Sequence, residues 1–292
     1  MLGEVPGMTS LGELDNLWIR GLTENDLCGC GCRFRECPFW AEVGQRAFGG
    51  WDRLNGRKMV ELERDVARHR YIPFLIEPSL SRGHAESLRR FSMYLTRLYR
   101  TISDVSGARI VVDSSKHAAY AFLLRLIPGI SLRVVHMVRD SHGVAYSWTK
   151  KVRRPEAGGE DIYMARYHPA RMAARWSAYN LLFEMLPSMG VPTMTLRYED
   201  LVASPRPSME RILRFSELPV TDEALSFLSD GTVELGKSHT VSGNPMRFKS
   251  GSLELRPDVE WREKMQRKDR RVVSALTWPL LMRYGYGVRA GS

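Results

Sequence analysis

The sequence predicts an α/β protein in three layers, with a central parallel sheet and helices on both faces. Three observations carry the prediction. Short apolar runs at 108–115, 132–138 and 192–198 are rich in β-branched residues and have the length of buried strands. Helical patterns separate them, AAYAFLLRL after the first run and an amphipathic stretch over about 163–189 after the second. A polar or charged residue (Asp113, Arg139 or Tyr198) stands at the end of each run. The carboxyl ends of parallel strands are where such sheets place their chemistry.

Taken in order, Met1 and Leu2 read as the end of a helix stopped by the glycines at 3 and 7, and the segment SLGEL at 10–14 follows. Four cysteines come next, Cys28, Cys30, Cys32 and Cys37. Thiolates suit zinc, but C-x-C-x-C is not the paired knuckle and no second pair follows. The alternative is a compact loop of buried or mutually paired thiols, anchored by Phe39 and Trp40. Residues 41–105 read as a mainly helical cap, with Phe91, Tyr94, Leu95, Leu98 and Tyr99 at helical spacing. A last helix over about 269–284 packs at the sheet edge. The 292 residues are expected to form one domain.

Composition narrows the function. Hydrophobic residues make up 43% and charged residues 26%, as in an ordinary globular protein. No run approaches a membrane span and no leader is visible, so a cytoplasmic address is expected. The net charge is +10, but Arg153, Arg154, Arg166, Arg171, Arg175, Arg270 and Arg271 spread it along the chain. A site for a polyanionic nucleotide explains that charge as well as nucleic acid does, and no nucleic-acid partner is expected.

The most informative segment is LRVVHMVRDSHGVAYSW, 132–148. Arg139 ends an apolar strand, and Ser147 lies eight positions later on what reads as a helix. A guanidinium, a hydroxyl and a helix start suit a phosphate. VVDSSKH, 111–117, ends another strand in an acid, two hydroxyls, Lys116 and His117. Ser114 or Ser115 would cap the next helix. LRYEDL, 196–201, ends the third strand in Tyr198. SHTVSGNPMRFKSG, 238–251, is a basic loop with Arg247, Lys249 and two glycines. His136 reads as a core histidine.

Together these segments resemble the sulfotransferases that use 3′-phosphoadenosine 5′-phosphosulfate, over nearly the whole chain. The resemblance implies the P-loop nucleotide-hydrolase-like sulfotransferase fold. It implies that Arg139, Ser147, Tyr198, Arg247 and Lys249 bind the nucleotide, with Arg139 and Ser147 on its 3′-phosphate. It implies that Lys116 stabilises the transferring group and that Glu13 is the general base, with Asp113 and His117 as competitors for that role. The nucleotide is the co-substrate and no metal is expected. The acceptor would be a small molecule, glycan or peptide, selected by the cap and by the loop at 152–162.

One family part has no counterpart here. The loop G-x-x-R-S-G-S/T-S/T, which cradles the 5′-phosphosulfate after the first strand, is not in the sequence. The resemblance therefore implies that the first strand is missing and that about two dozen residues precede Met1 in the native protein. It also leaves a non-catalytic 3′-phosphoadenosine-binding protein as the alternative function.

Overall fold

The computed structural model describes residues 1–154, 163–229 and 231–287. In chain order they form β1 (Met8–Ser10), α1 (Pro38–Phe48), α2 (Gly56–Val66), α3 (Ile72–Ile76), α4 (Arg82–Ser106), β2 (Ile110–Val112) and α5 (Ala118–Leu124). Then come β3 (Val134–Val138), α6 (Ser141–Ser147), α7 (Pro169–Glu184), β4 (Thr193–Arg197), α8 (Tyr198–Ala203), α9 (Pro205–Phe215) and β5 (Leu228–Ser229). The chain ends with β6 (Thr232–Leu235), β7 (Gly251–Glu254), α10 (Trp261–Lys264) and α11 (Arg267–Arg283). It is a mixed α/β protein with parallel strands, as predicted. Among the described residues, no helix is long and apolar enough to cross a membrane.

The described residues group into two compact units. The first is built on Met1–Leu132 and Val233–Leu253. In it β1 runs parallel to β2, with Met8 opposite Ile110 and Ser10 opposite Val112. The helices predicted for the cap form the crossover between these strands. In α4, Ser81 caps the start by accepting from the His84 N–H, and Gly107 in the left-handed region ends it. Leu88, Phe91, Leu95, Leu98 and Ile102 recur at helical spacing and are buried. Each such side chain contributes roughly 1.5–3 kcal/mol on burial. Trp18, Phe34, Trp40 and Trp51 are buried too, and Trp51 Nε1 donates to the Trp40 carbonyl at 2.7 Å. A Cβ on Gly44 would stand 2.3 Å from Trp51 Nε1, so glycine is what admits that indole.

The second unit holds Arg133–Arg154 and the described parts of 161–232 and 254–292. Here β3 and β4 pair in parallel over five residues, Val134 opposite Thr193 through Val138 opposite Arg197. Its core joins Val138, Trp176, Leu280, Leu281 and Tyr286, beside a second cluster of Ala145, Met172, Ala173, Met265 and Val273. His136 is a core residue as expected: it is buried and lies 2.8 Å from Asn180 Oδ1. Burial holds its pKa below the usual histidine range.

Several boundaries differ from the prediction. The N-terminal stretch MTS is a strand, β1, and Leu2–Glu4 is a single 3₁₀ turn rather than the end of a longer helix. The first predicted strand shortens to three residues because Asp113 already takes part in a turn. The helix expected from 163 starts at Pro169, whose ring disfavours helix at the preceding His168. The parallel ladder falls into two pairs, β1–β2 and β3–β4, each within its own unit. A third sheet has the order β5-β6-β7. Most of the loop at 152–162 lies outside the described residues.

Candidate active site

In the first unit, the segment SLGEL is held on both sides. Leu11 N–H donates to the Val112 carbonyl at 3.2 Å and Ser114 N–H to the Gly12 carbonyl at 2.7 Å. On the other side, Val241 N–H donates to the Leu11 carbonyl and Glu13 N–H to that of Ser242. Gly12 has φ +77°, and a Cβ there would meet the Ser242 carbonyl oxygen at 2.2 Å. Only glycine lets the two strand-like segments approach so closely.

This register sets Glu13 beside Lys116, and the two form an ion pair. Glu13 is largely buried while Lys116 is mostly exposed. Asp15 Oδ2 lies 3.2 Å from His117 Nδ1. Burial, with Asp113 and Glu13 nearby, pushes the Asp15 carboxyl up to about 7. Asp113 accepts from Ser115 N–H (2.8 Å), Ser115 Oγ (2.5 Å), Tyr99 Oη (2.5 Å) and Leu14 N–H (3.2 Å). Burial still raises its pKa against those bonds. With that much of its acceptor capacity engaged, Asp113 braces the turn. Ser115 serves that same turn, and the cap position of α5 falls to His117 rather than to a serine. Glu63 on α2 adds a buried carboxyl whose pKa is held well above the usual range by burial and by Asp15.

In the second unit, Arg139 stands at the exit of β3. Its Nη2 donates to Asp258 Oδ2 at 2.8 Å, and its guanidinium lies 5.1 Å from the Tyr198 ring centre. Trp176 Nε1 fixes the Arg139 carbonyl at 3.0 Å. Asp140 caps α6 by accepting from the His142 N–H. Gly143 leaves room for the guanidinium, since a Cβ there would sit 3.1 Å from Arg139 Nη2. Ser147, at the last residue of α6, donates back to the Val144 carbonyl at 2.9 Å.

The structure therefore brings Glu13 together with Lys116, and Arg139 together with Tyr198. Ser147 is turned onto its own helix. Arg247 and Lys249 lie in the first unit. Arg247 donates to the carbonyls of Thr240 (2.6 Å) and Leu27 (2.8 Å) and packs on Phe248, so any contact with a phosphate requires those bonds to open. Lys249 is exposed. Sequence reasoning missed Asp258, the counter-ion of Arg139, because nothing in its surroundings forms a motif. It also missed Asp15, although an acid two residues from Glu13 was visible.

A family model described as "Sulfotransferase family" matches residues 39–222. Lys116, Arg139, Ser147 and Tyr198 fall inside that span, and Glu13, Arg247 and Lys249 outside it. No curated protein matches the chain. Among solved structures, the chain is similar to a sulfotransferase domain from the curacin biosynthetic pathway. The identity is 15%, 92% of this chain and 96% of that one are covered, and the TM-score is 0.40. It is also similar to a sulfotransferase domain from the Synechococcus PCC 7002 olefin synthase, with 16% identity, 92% and 93% coverage and a TM-score of 0.42. The family model spans well over half of the 292 residues, and the chain belongs to the sulfotransferase family.

Proposed function

We propose that this sulfotransferase moves a sulfuryl group from 3′-phosphoadenosine 5′-phosphosulfate to a hydroxyl or amine acceptor. The acceptor oxygen or nitrogen attacks sulfur in line. The bond from sulfur to the phosphate oxygen breaks, and 3′-phosphoadenosine 5′-phosphate leaves. The acceptor proton passes to Glu13. Lys116 offsets charge on the sulfuryl oxygens and the departing phosphate. Arg139 takes the 3′-phosphate in place of Asp258, with Ser147 as a further contact and Tyr198 against the nucleotide; nucleotide roles for Arg247 and Lys249 rest on the resemblance alone. The acceptor is a small molecule, glycan or peptide, and the cytoplasm is the inferred address.

The observation that carries this reading is the Glu13–Lys116 pair. Two segments that resemble the family's chemistry, about a hundred positions apart, meet as a carboxylate and an ammonium. The reading is tested with sulfur-labelled co-substrate and a panel of alcohol, phenol and amine acceptors. Label transfer that is lost in Glu13→Gln supports it, and equal transfer by that variant contradicts the role of Glu13.

A second reading rests on the Arg139–Asp258 pair beside the Tyr198 ring, which suits a phosphate by itself. The chain then binds the 3′-phosphoadenosine nucleotide without transferring sulfur. Tight binding with no labelled product across the whole panel would select it.

A further inference from the structure

Three cysteines close in sequence and one distant histidine converge in the first unit. Cys28, Cys30, Cys37 and His239 present their three Sγ atoms and one imidazole nitrogen all within 4.8 Å of one another. Cys30 Sγ and Cys37 Sγ are 3.6 Å apart, and Cys37 Sγ is 3.2 Å from His239 Nδ1. In a tetrahedral zinc site with Zn–S of about 2.3 Å, neighbouring sulfurs stand about 3.8 Å apart. The Cys30–Cys37 spacing of 3.6 Å is close to that figure and well beyond a covalent S–S bond of about 2.05 Å.

The surrounding backbone holds this arrangement. Cys28 N–H donates to the Cys32 carbonyl and Gly31 N–H to that of Cys28, each at 2.8 Å, which folds the C-x-C turn. Cys37 is the N-cap of α1, an eleven-residue helix whose positive end favours a thiolate. His239 is clamped through its neighbours. Trp40 Nε1 donates to its carbonyl at 2.9 Å, and the Phe39 ring stacks on its imidazole at 5.0 Å and 13°. Gly29 N–H donates to the Thr240 carbonyl at 2.9 Å, and a Cβ on Gly29 would meet Thr240 Oγ1 at 2.4 Å. Cys28 and Cys37 are buried, whereas Cys32 is exposed and outside the cluster.

We infer that Cys28, Cys30, Cys37 and His239 bind one structural zinc ion, clamping the cysteine loop to the loop that carries Arg247. Three soft thiolates and an imidazole suit zinc, and four protein ligands close a tetrahedral site. With no coordination position left for substrate, the ion holds structure and takes no part in transfer. The inference departs from the expectation of no metal. No second cysteine pair completes the set; the fourth ligand is a histidine 202 positions after Cys37. None of the four ligands has a part in the proposed reaction, and the inference rests on their own geometry. The clamp extends to the strand-like segment at 240–242, which pairs with Leu11 and Glu13.

The test is metal analysis of the chain purified from zinc-supplemented cells without chelator. One zinc per chain is expected for wild type and for Cys32→Ser, and none for Cys37→Ser or His239→Ala. Cobalt(II) added to the metal-free wild-type chain is expected to give tetrahedral d–d bands with thiolate charge transfer, which covers the case of a variant that does not fold. Native wild type is expected to show one fast-reacting thiol, and four after metal removal. A folded wild-type chain that holds no zinc and gives no thiolate band with cobalt(II) overturns the inference. So does a disulfide between any two of the three proposed cysteines, or zinc lost by Cys32→Ser but kept by Cys37→Ser.

Discussion

The exits of β2 and β3 carry charge in opposite ways. At the exit of β2, carboxyl groups crowd together. Glu13, Asp15 and Asp113 share one neighbourhood with Lys116 and His117, and burial with mutual repulsion pushes Asp15 up to about 7. At the exit of β3, one cation meets one anion, Arg139 on Asp258, over the Tyr198 ring. The first region stores affinity for protons, which suits the step in which an acceptor loses one. The second holds a displaceable ion pair, which suits exchange of a side-chain carboxylate for a phosphate.

Substitutions sharpen this contrast, starting with the largest effect. Glu13→Gln should lower turnover by roughly 10²–10⁴-fold while leaving nucleotide affinity unchanged, measured by label transfer and calorimetry. A matching loss of affinity would mean that the β2 exit is a binding site instead.

Asp15→Asn comes next. The folded chain binds the Asp15 proton more tightly than the unfolded chain, so wild-type stability falls as pH rises from about 4 to about 7. The interval between the ordinary carboxyl value of 3.8 and about 7 corresponds to about 4 kcal/mol. The melting temperature of Asp15→Asn relative to wild type should therefore climb across that window and level off above it. A flat difference would show that the carboxyl is not strained by its neighbours.

Arg139→Ala should raise the dissociation constant for 3′-phosphoadenosine 5′-phosphate at least tenfold, since a charge-assisted contact contributes about 1.5–3 kcal/mol. Arg247→Ala should instead act mainly on the melting temperature, because its guanidinium serves two backbone carbonyls. The smallest effect is expected from Asp258→Asn. Removing a partly exposed counter-ion contributes about 0–1 kcal/mol, so nucleotide affinity should improve by less than tenfold. Weaker binding in that variant would make Asp258 a positioning residue and not a competitor.

Much of this was legible in the sequence. β2 and β3 announce themselves by β-branched apolar runs and β4 by alternating threonines, and the sequence alone places Arg139 at a strand tip. β1 could not, because MTS is too short for any period to show. Its identity as a strand comes from pairing with β2 about a hundred residues away. The Asp258 partner of Arg139 and the His239 partner of Cys37 were hidden for the same reason, since each contact closes a long loop that no local pattern encodes. Arg247 was legible as a basic loop residue. Its use as a staple was not, because backbone carbonyls leave no trace in residue type.

The most direct measurement is a calorimetric comparison of 3′-phosphoadenosine 5′-phosphate with adenosine 5′-phosphate on wild type and Arg139→Ala. The account predicts that wild type prefers the nucleotide bearing the 3′-phosphate and that the preference disappears in the variant. Equal affinity of wild type for both nucleotides, or an undiminished preference in Arg139→Ala, would contradict it.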